Sequence, residues 1–170
     1  MDTRADRLSR AVRDHPPVIG PRAGHRCRAG AHSYLGDGRV VCWVVPSVAE
    51  PPRAGGTAVC GSGGHAGTDE PPLAHAVDAE LAGQRVPPSV TTRWRGTAAA
   101  DPGRFWDLWC ATEVLAKLAD VPMVLLVRRG PVTASPVRWE NVDVHWLVHR
   151  VGDVVVAHGM AWTATTSDIT

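Results

Sequence analysis

The chain has 170 residues, 44% of them hydrophobic and 21% charged, and a formal net charge of +1. That length predicts one domain large enough to bury its own core, and the near-zero charge argues against nucleic acid as a partner. Because the sequence contains no run of 18 apolar residues and no signal-peptide core, we expect a cytoplasmic protein without membrane association.

The N-terminal third predicts short elements separated by loops. Residues 4–13 favour a helix, because their apolar side chains recur four residues apart. Residues 18–31 are rich in Gly, Arg and Ala and predict a loop, whereas the apolar run at 40–45 predicts a buried strand. The Gly- and Pro-rich stretch over 51–72 predicts a flexible loop.

The rest of the chain predicts strands around one long helix. Residues 74–81 favour a strand, and Asp101 followed by Pro102 begins a helix that continues to about residue 119 with one apolar face. Further strands are predicted at 122–127, 142–148 and 154–160. We therefore predict an α+β domain in which a mixed or antiparallel sheet packs on the long helix.

The cysteines do not follow a metal-binding spacing. Cys27, Cys42, Cys60 and Cys110 form no CxxC or zinc-ribbon pattern. A cytoplasmic location disfavours disulfides. The sequence therefore predicts buried free thiols.

Two acidic residues share one face of the predicted strand at 74–81. Side chains alternate between the faces of a strand, so Asp78 and Glu80 project to the same side. Adjacent carboxylates repel each other unless they are solvated or share a cation. An exposed strand face and a divalent-metal site therefore both remain open.

The long predicted helix places Glu113 and Lys117 one turn apart, away from its apolar face. A pair at this spacing is often a surface ion pair of little energetic weight. Together with the two acids of the strand, however, Glu113 would complete an oxygen-only site that suits Mg²⁺. Lys117 would then contact a phosphate or take a proton from a hydroxyl, an arrangement typical of phosphoryl transfer.

The same residues form a recognisable motif. The sequence reads V-D-A-E at 77–80 and W-C-A-T-E-V-L-A-K at 109–117. It resembles the 4'-phosphopantetheinyl transferase superfamily over roughly residues 75–122. The resemblance implies the transferase-like fold, either as one domain or as a truncated pseudo-dimer, with a shortened N-terminal half at 1–74 and a motif-bearing half at 75–166. It also implies the site residues, in which Mg²⁺ is bound by Asp78, Glu80 and Glu113, and Glu113 and Lys117 are catalytic.

Members of this superfamily transfer the 4'-phosphopantetheine arm of coenzyme A to a serine of an acyl or peptidyl carrier protein. The resemblance therefore implies coenzyme A as co-substrate and a carrier protein as partner, in a monomer or a homodimer. A basic residue is expected near the 3'-phosphate of coenzyme A. The candidates are Arg22, Arg26, Arg28 and His32.

Three departures from the family pattern leave other functions open. Thr112 replaces a lysine of the family, Ala76 replaces a glycine, and the serine–histidine element resembled by residues 32–41 is distorted. One alternative is a repurposed enzyme or accessory protein of a biosynthetic pathway that no longer makes this transfer. Another is a carrier-binding scaffold, although a scaffold has no need of three clustered carboxylates and Lys117.

Overall fold

The computed structural model describes residues 3–25, 27, 30–45, 70–95 and 101–164. Within these ranges the chain forms four helices and seven strands, and the strands make two antiparallel sheets. The predicted α+β class is therefore confirmed. The elements in chain order are α1 (Arg4–Asp14), β1 (Val18–Pro21), β2 (Ala31–Tyr34), β3 (Arg39–Trp43), β4 (Ala74–Leu81), α2 (Pro88–Arg93), α3 (Pro102–Leu118), α4 (Met123–Arg129), β5 (Val137–Trp139), β6 (Val142–Val151) and β7 (Val154–Thr163).

The larger sheet has the strand order β4-β7-β6-β5. Strands β6 and β7 form the predicted hairpin, although both continue beyond the predicted ends. Strand β7 is buried along almost its whole length because both faces of the sheet are covered. Helix α3 packs on one face, and α1 and the smaller sheet pack on the other.

The smaller sheet has the order β1-β3-β2, and its strand β2 lies beside β4. Its side chains alternate between two environments. Val41 and Trp43 of β3 point into the core shared with the larger sheet. His32 and Cys42 occupy the opposite, outer face, together with the largely exposed Tyr34.

Helix α3 begins where it was predicted, but it is buried on more than one side. The Asp101 carboxylate caps it by accepting a hydrogen bond from the Gly103 N–H. Between residues 105 and 116 the partly exposed side chains are Asp107, Trp109 and Glu113. The predicted apolar face is buried, and the helix is covered on a further side that was not predicted, because the sheet covers one side while α4 and the residues around α2 cover another.

The close contact between α3 and the larger sheet depends on Gly159 in β7. A Cβ atom at this position would overlap the side chain of Val114 and would approach that of Leu118 at 2.9 Å. Val114 is fully buried, so it has no free space into which to move. The glycine therefore sets how near the helix lies to the strands.

Two further predictions are corrected by tertiary contacts. The sequence predicts a loop over 18–31, whereas Val18–Pro21 forms β1 because it pairs with β3, and β2 begins at residue 31. The sequence predicts a strand over 122–127, whereas this segment is mostly helix α4.

The apolar run of helix α4 is exposed on one side of the helix and buried on the other. Pro122 occupies the N-cap position, where its missing N–H costs no helical hydrogen bond. Val124 and Leu125 are exposed, and the next turn buries Leu126 and Val127 in the core. A strand would have alternated these environments residue by residue.

Other predictions are limited by what is described. No disulfide joins Cys27, Cys42 or Cys110; Cys42 and Cys110 are buried, and Cys27 is partly exposed. Cys60 lies outside the described residues, as does most of the predicted loop over 51–72. Among the helices described, none is both long enough and apolar enough to cross a membrane.

Candidate functional site

The acidic pair of β4 faces helix α3. The intervening residue, Ala79, points into the opposite core layer, which confirms the expected alternation of Asp78 and Glu80. Asp78 is only 2% exposed, and Glu80 is partly exposed near the end of the strand. An exposed strand face with two solvated acids is therefore the wrong interpretation of this pair.

Helix α3 brings Glu113 and Lys117 to the same place. Lys117 Nζ donates a hydrogen bond of 2.7 Å to Asp78 Oδ1 and another of 3.0 Å to the Val77 carbonyl oxygen. The same nitrogen lies 3.9 Å from Glu113 Oε1. Lys117 therefore joins the helix to the strand and does more than form a surface ion pair. The acidic cluster, as we call Asp78, Glu80, Glu113 and Lys117, combines side chains from two distant segments.

Ser33 is a member of the site that sequence reasoning missed. Its Oγ accepts a hydrogen bond of 3.1 Å from the Ala79 N–H and lies 3.2 Å from Asp78 Oδ1. The serine is buried, so it fixes β2 against β4 at the position of the carboxylate. Its sequence signal was weak: it lies in the distorted serine–histidine element at 32–41.

Three more side chains interact with the carboxylates. Gln84 donates to Glu80 Oε2 at 2.5 Å, while Cys110 lowers the pKa of Asp78 and Trp109 lowers that of Glu113. Trp109 and Cys110 lie one helical turn before Glu113, so their helical spacing could have identified them. Gln84 follows the end of β4, and the sequence offers no comparable signal for it.

The pKa values of all three carboxyl groups in the acidic cluster are raised. Burial raises the pKa of Asp78, and the Lys117 ammonium opposes this shift. Burial likewise raises the pKa of Glu80 and Glu113, and neighbouring negative charges add to it, from Glu113 on Glu80 and from Asp78 on Glu113. A bound cation would relieve both the desolvation and the mutual repulsion.

The donor atoms of the cluster fit Mg²⁺ in type, but they are not gathered around one point. Mg²⁺ prefers oxygen ligands, and Asp78 Oδ2 is buried without a hydrogen-bond partner. Glu80 is turned toward Gln84, so joint coordination by the three carboxylates requires a change of its rotamer. In the described part of the chain, the residues whose possible ligand atoms lie within 4.8 Å of one another are instead His25, Cys27, His32 and Cys42.

Two of the four residues predicted to contact coenzyme A, Arg22 and His32, are described and lie on another surface. The Arg22 guanidinium stacks over the ring of Tyr34, 4.7 Å from its centroid. The His32 ring contacts that of His25. Both Tyr34 and His32 extend from the outer face of β2, whereas Ser33 extends toward Asp78 from the inner face. The other two candidates, Arg26 and Arg28, lie outside the described residues.

A cleft on the opposite side of the larger sheet is lined by basic and acidic side chains of α1. Its lining includes Arg7, Arg10, Asp14 and Met160. Met160 of β7 belongs to the core layer of α1 and the smaller sheet, away from α3. The sheet therefore separates this cleft from the acidic cluster.

Comparison with known proteins does not assign the chain to a family, since no protein-family model, no curated protein and no solved structure matches it. The function of the acidic cluster is therefore inferred from its geometry and from the sequence pattern at 77–80 and 109–117.

Proposed function

We propose that this chain is a Mg²⁺-dependent transferase with the phosphopantetheinyl transferase-like fold. It transfers the 4'-phosphopantetheine arm of coenzyme A to a serine hydroxyl of an acyl or peptidyl carrier protein. The observation that supports this proposal is the convergence of the acidic pair of β4 with Glu113 and Lys117 of α3. Convergence of both halves of the motif is what the chemistry requires, because phosphoryl transfer depends on positioned charge.

In the proposed enzyme Asp78, Glu80 and Glu113 hold the metal ion. When bound, Mg²⁺ would neutralise the pyrophosphate of coenzyme A and stabilise the charge of the departing 3',5'-ADP as the arm passes to the serine oxygen. The raised pKa values of these carboxylates support the assignment, because they indicate buried acids that lack sufficient positive charge. The unpartnered Asp78 Oδ2 supports it as well.

Lys117 lies at the boundary between the buried acid and solvent. Its side chain is 35% exposed, whereas that of Asp78 is 3% exposed. From this position the amine can neutralise Asp78, or it can turn outward to a substrate phosphate or to the attacking hydroxyl. The partly exposed Trp109 lies one helical turn before Glu113 and offers an apolar surface next to that carboxylate.

The test is transfer to a carrier protein. The purified chain is incubated with coenzyme A, Mg²⁺ and a set of apo-carrier proteins, and we expect the mass of the arm to appear on one of them. Glu113→Gln should lower the transfer rate at least about 100-fold, because a metal ligand and a negative charge are lost together. Glu140→Gln is the matched control, since Glu140 is an exposed glutamate in the turn between β5 and β6.

The outcome that contradicts the proposal is absence of transfer to every carrier in the set, including any encoded beside the gene. If Glu113→Gln transfers the arm at the same rate as Glu140→Gln, the proposed transferase activity stands, but the assignment of Glu113 as a metal ligand is refuted. Thermal unfolding of both variants shows whether a lost rate reflects lost structure.

A repurposed enzyme or accessory protein is the second candidate, and the environment of Thr112 favours it. Thr112 is fully buried, and its hydroxyl donates to the Leu108 carbonyl at 2.6 Å and accepts from the Val132 N–H at 3.1 Å. Thr112 stands where the motif of the resembled family has a lysine, so this position adds no positive charge to the site. This candidate predicts that calorimetry detects binding of coenzyme A while no carrier is modified.

A further inference from the structure

We propose that His25, Cys27, His32 and Cys42 form a zinc-binding site, distinct from the acidic cluster and independent of the proposed transfer. One possible ligand atom from each of the four lies within 4.8 Å of the other three. Among the residues the structure describes, no second set of three or more His, Cys, Asp or Glu side chains is gathered in this way. Two thiolates and two imidazoles are a donor set suited to tetrahedral Zn²⁺.

Two of the four ligands are fixed by strand pairing. His32 of β2 and Cys42 of β3 are directly opposite each other in the antiparallel register. Directly opposed side chains project from the same face of a sheet with their Cβ atoms close together. Half of the site is therefore held by the backbone of the smaller sheet.

His25 is brought to this face by a tight turn. Gly24 adopts a φ of 82°, which favours glycine, and the His25 N–H donates a hydrogen bond of 3.2 Å to the Arg22 carbonyl. The turn reverses the chain after β1. The His25 and His32 rings consequently meet edge to face, with their centroids 5.1 Å apart.

Cys27 lies beside Cys42, and the backbone at Gly30 approaches the end of β3 closely. A Cβ atom on Gly30 would lie 2.8 Å from the Trp43 carbonyl oxygen, a distance that a side chain does not tolerate. The glycine lets the segment before β2 lie against the end of β3. The Cys27 and Cys42 sulfurs are 2.8 Å apart.

The two histidines have ring nitrogens that nothing in the described protein satisfies. The Nε2 atoms of His25 and His32 are both buried and have no hydrogen-bond partner. A buried polar atom without a partner has lost its water without replacement, which is unfavourable. Coordination of a metal ion would supply the missing interaction to both nitrogens at once.

A disulfide is the competing explanation for the neighbouring sulfurs. A disulfide bond is about 2.0 Å long. Two sulfurs bound to one tetrahedral zinc at about 2.3 Å lie about 3.8 Å apart. The observed 2.8 Å matches neither value, so the distance between the sulfurs does not distinguish the two states. The gathering of two imidazoles around the sulfurs favours the metal, because a disulfide would leave both Nε2 atoms unsatisfied.

The predicted role of the zinc is structural. Four protein ligands close a tetrahedral site and leave no position for a substrate or water. The ion would fasten the segment before β2 to the hairpin of β2 and β3. It would thereby stabilise the strand that presents Ser33 to Asp78. It would also coordinate His32, which would then not be available for the phosphate contact predicted from the sequence.

The test is the metal content of the reduced protein, measured by inductively coupled plasma mass spectrometry after removal of any affinity tag. We expect about one zinc ion per chain, as a closed four-ligand site requires. After removal of zinc, added Co²⁺ should give thiolate charge-transfer bands and the intense visible bands of tetrahedral cobalt. In Cys27→Ser and His25→Asn the affinity for zinc, measured by competition with a chelator, should fall at least about 100-fold.

These two substitutions are chosen because Cys27 and His25 are partly exposed, so they disturb the core less than a change of the buried Cys42. Cys110→Ala is the control, since it removes a thiol and keeps all four proposed ligands. It should retain zinc and the cobalt spectrum.

Wild-type protein that contains no zinc and gives no tetrahedral cobalt spectrum after reduction overturns the proposal. Unchanged zinc affinity in both ligand variants also overturns it, as does a metal-free protein in which peptide mapping finds a disulfide between Cys27 and Cys42. If the variants do not fold, the stoichiometry and cobalt spectrum of the wild type decide the matter.

Discussion

The Asp78 carboxylate has several neighbours that stabilise its negative charge. Lys117 donates to it, the Ser33 hydroxyl lies within hydrogen-bond distance, and the Cys110 thiol acts to lower its pKa. Burial acts against these contacts and raises the pKa of the acid. The charge state of this single residue therefore depends on the lysine, which is the only fully charged donor among them.

Lys117→Met should leave Asp78 buried without its counter-charge. We expect the free energy of unfolding at neutral pH to fall by roughly 2–3 kcal/mol, less than for a fully buried pair because part of the lysine is exposed. The pKa of Asp78 should rise further, so the carboxyl takes up a proton at a higher pH in the variant than in the wild type. The stability difference from wild type should therefore shrink as the pH falls to about 5.

Urea unfolding of both proteins at the two pH values measures this difference. A loss that is equal at both values would contradict the assigned pairing, since it would indicate lost packing of the lysine stem and not an uncompensated charge.

At the scale of elements, those predicted correctly carry local signals of their own. Helix α3 has the Asp101-Pro102 start, and the hairpin of β6 and β7 turns at Gly152, which has a φ of 60°. Strand β4 has its eight-residue apolar-rich run. These features need no distant partner, so the sequence is sufficient to predict them.

The elements that were missed depend on tertiary contacts. Residues 18–21 become a strand by pairing with β3, and the apolar run of α4 suits a strand equally well until its burial is known. The two candidate sites divide in the same way. The acidic cluster follows a known motif, whereas Cys27 and Cys42 meet only after β2 and β3 pair.

Gly159→Ala tests how tightly α3 is held on the larger sheet. The added methyl overlaps Val114, and we expect a loss of about 1–3 kcal/mol in the free energy of unfolding. Gly20→Ala is the matched control, because a Cβ atom there meets nothing within 4 Å. Urea denaturation compares the two variants.

The overlap can be tested directly by a double-mutant cycle. Val114→Ala should cost less in the Gly159→Ala background than alone, because it makes room for the new methyl. Additive losses would show that the helix and strand are not in steric contact at this point.

Across the whole molecule, the two faces of the larger sheet respond oppositely to acid. One face carries the carboxylates, whose raised pKa values mean that the folded state binds protons more readily than the unfolded chain. The other carries one buried histidine, His158, and three partly buried ones, and the pKa values of all four are lowered. The partly buried three are His75, His145 and His149. Acidification therefore favours folding through the first group and opposes it through the second.

His158 should dominate the loss of stability in mild acid. Burial, with a smaller contribution from His149, lowers its pKa from 6.5 to about 3. The unfolded chain therefore takes up a proton that the folded chain refuses, and stability falls as the pH drops through this interval. Between about pH 7 and pH 5 this amounts to roughly 2 kcal/mol.

His158→Phe keeps a ring against Trp43 and His149 but removes the titrating group. Its free energy of unfolding should lose roughly 2 kcal/mol less than that of wild type over the same pH interval. A pH dependence unchanged from wild type, measured by thermal or urea unfolding, would refute the role of this histidine.

Strand β4 ends the larger sheet, and a bare sheet edge invites a strand from another molecule. Two backbone groups of β4 are already hydrogen-bonded to side chains. The Val77 carbonyl accepts from Lys117, and the Ala79 N–H donates to Ser33. Lys117 and Ser33 thus occupy two positions at which an added strand would hydrogen-bond, so each side chain serves the sheet edge as well as the Asp78 carboxylate.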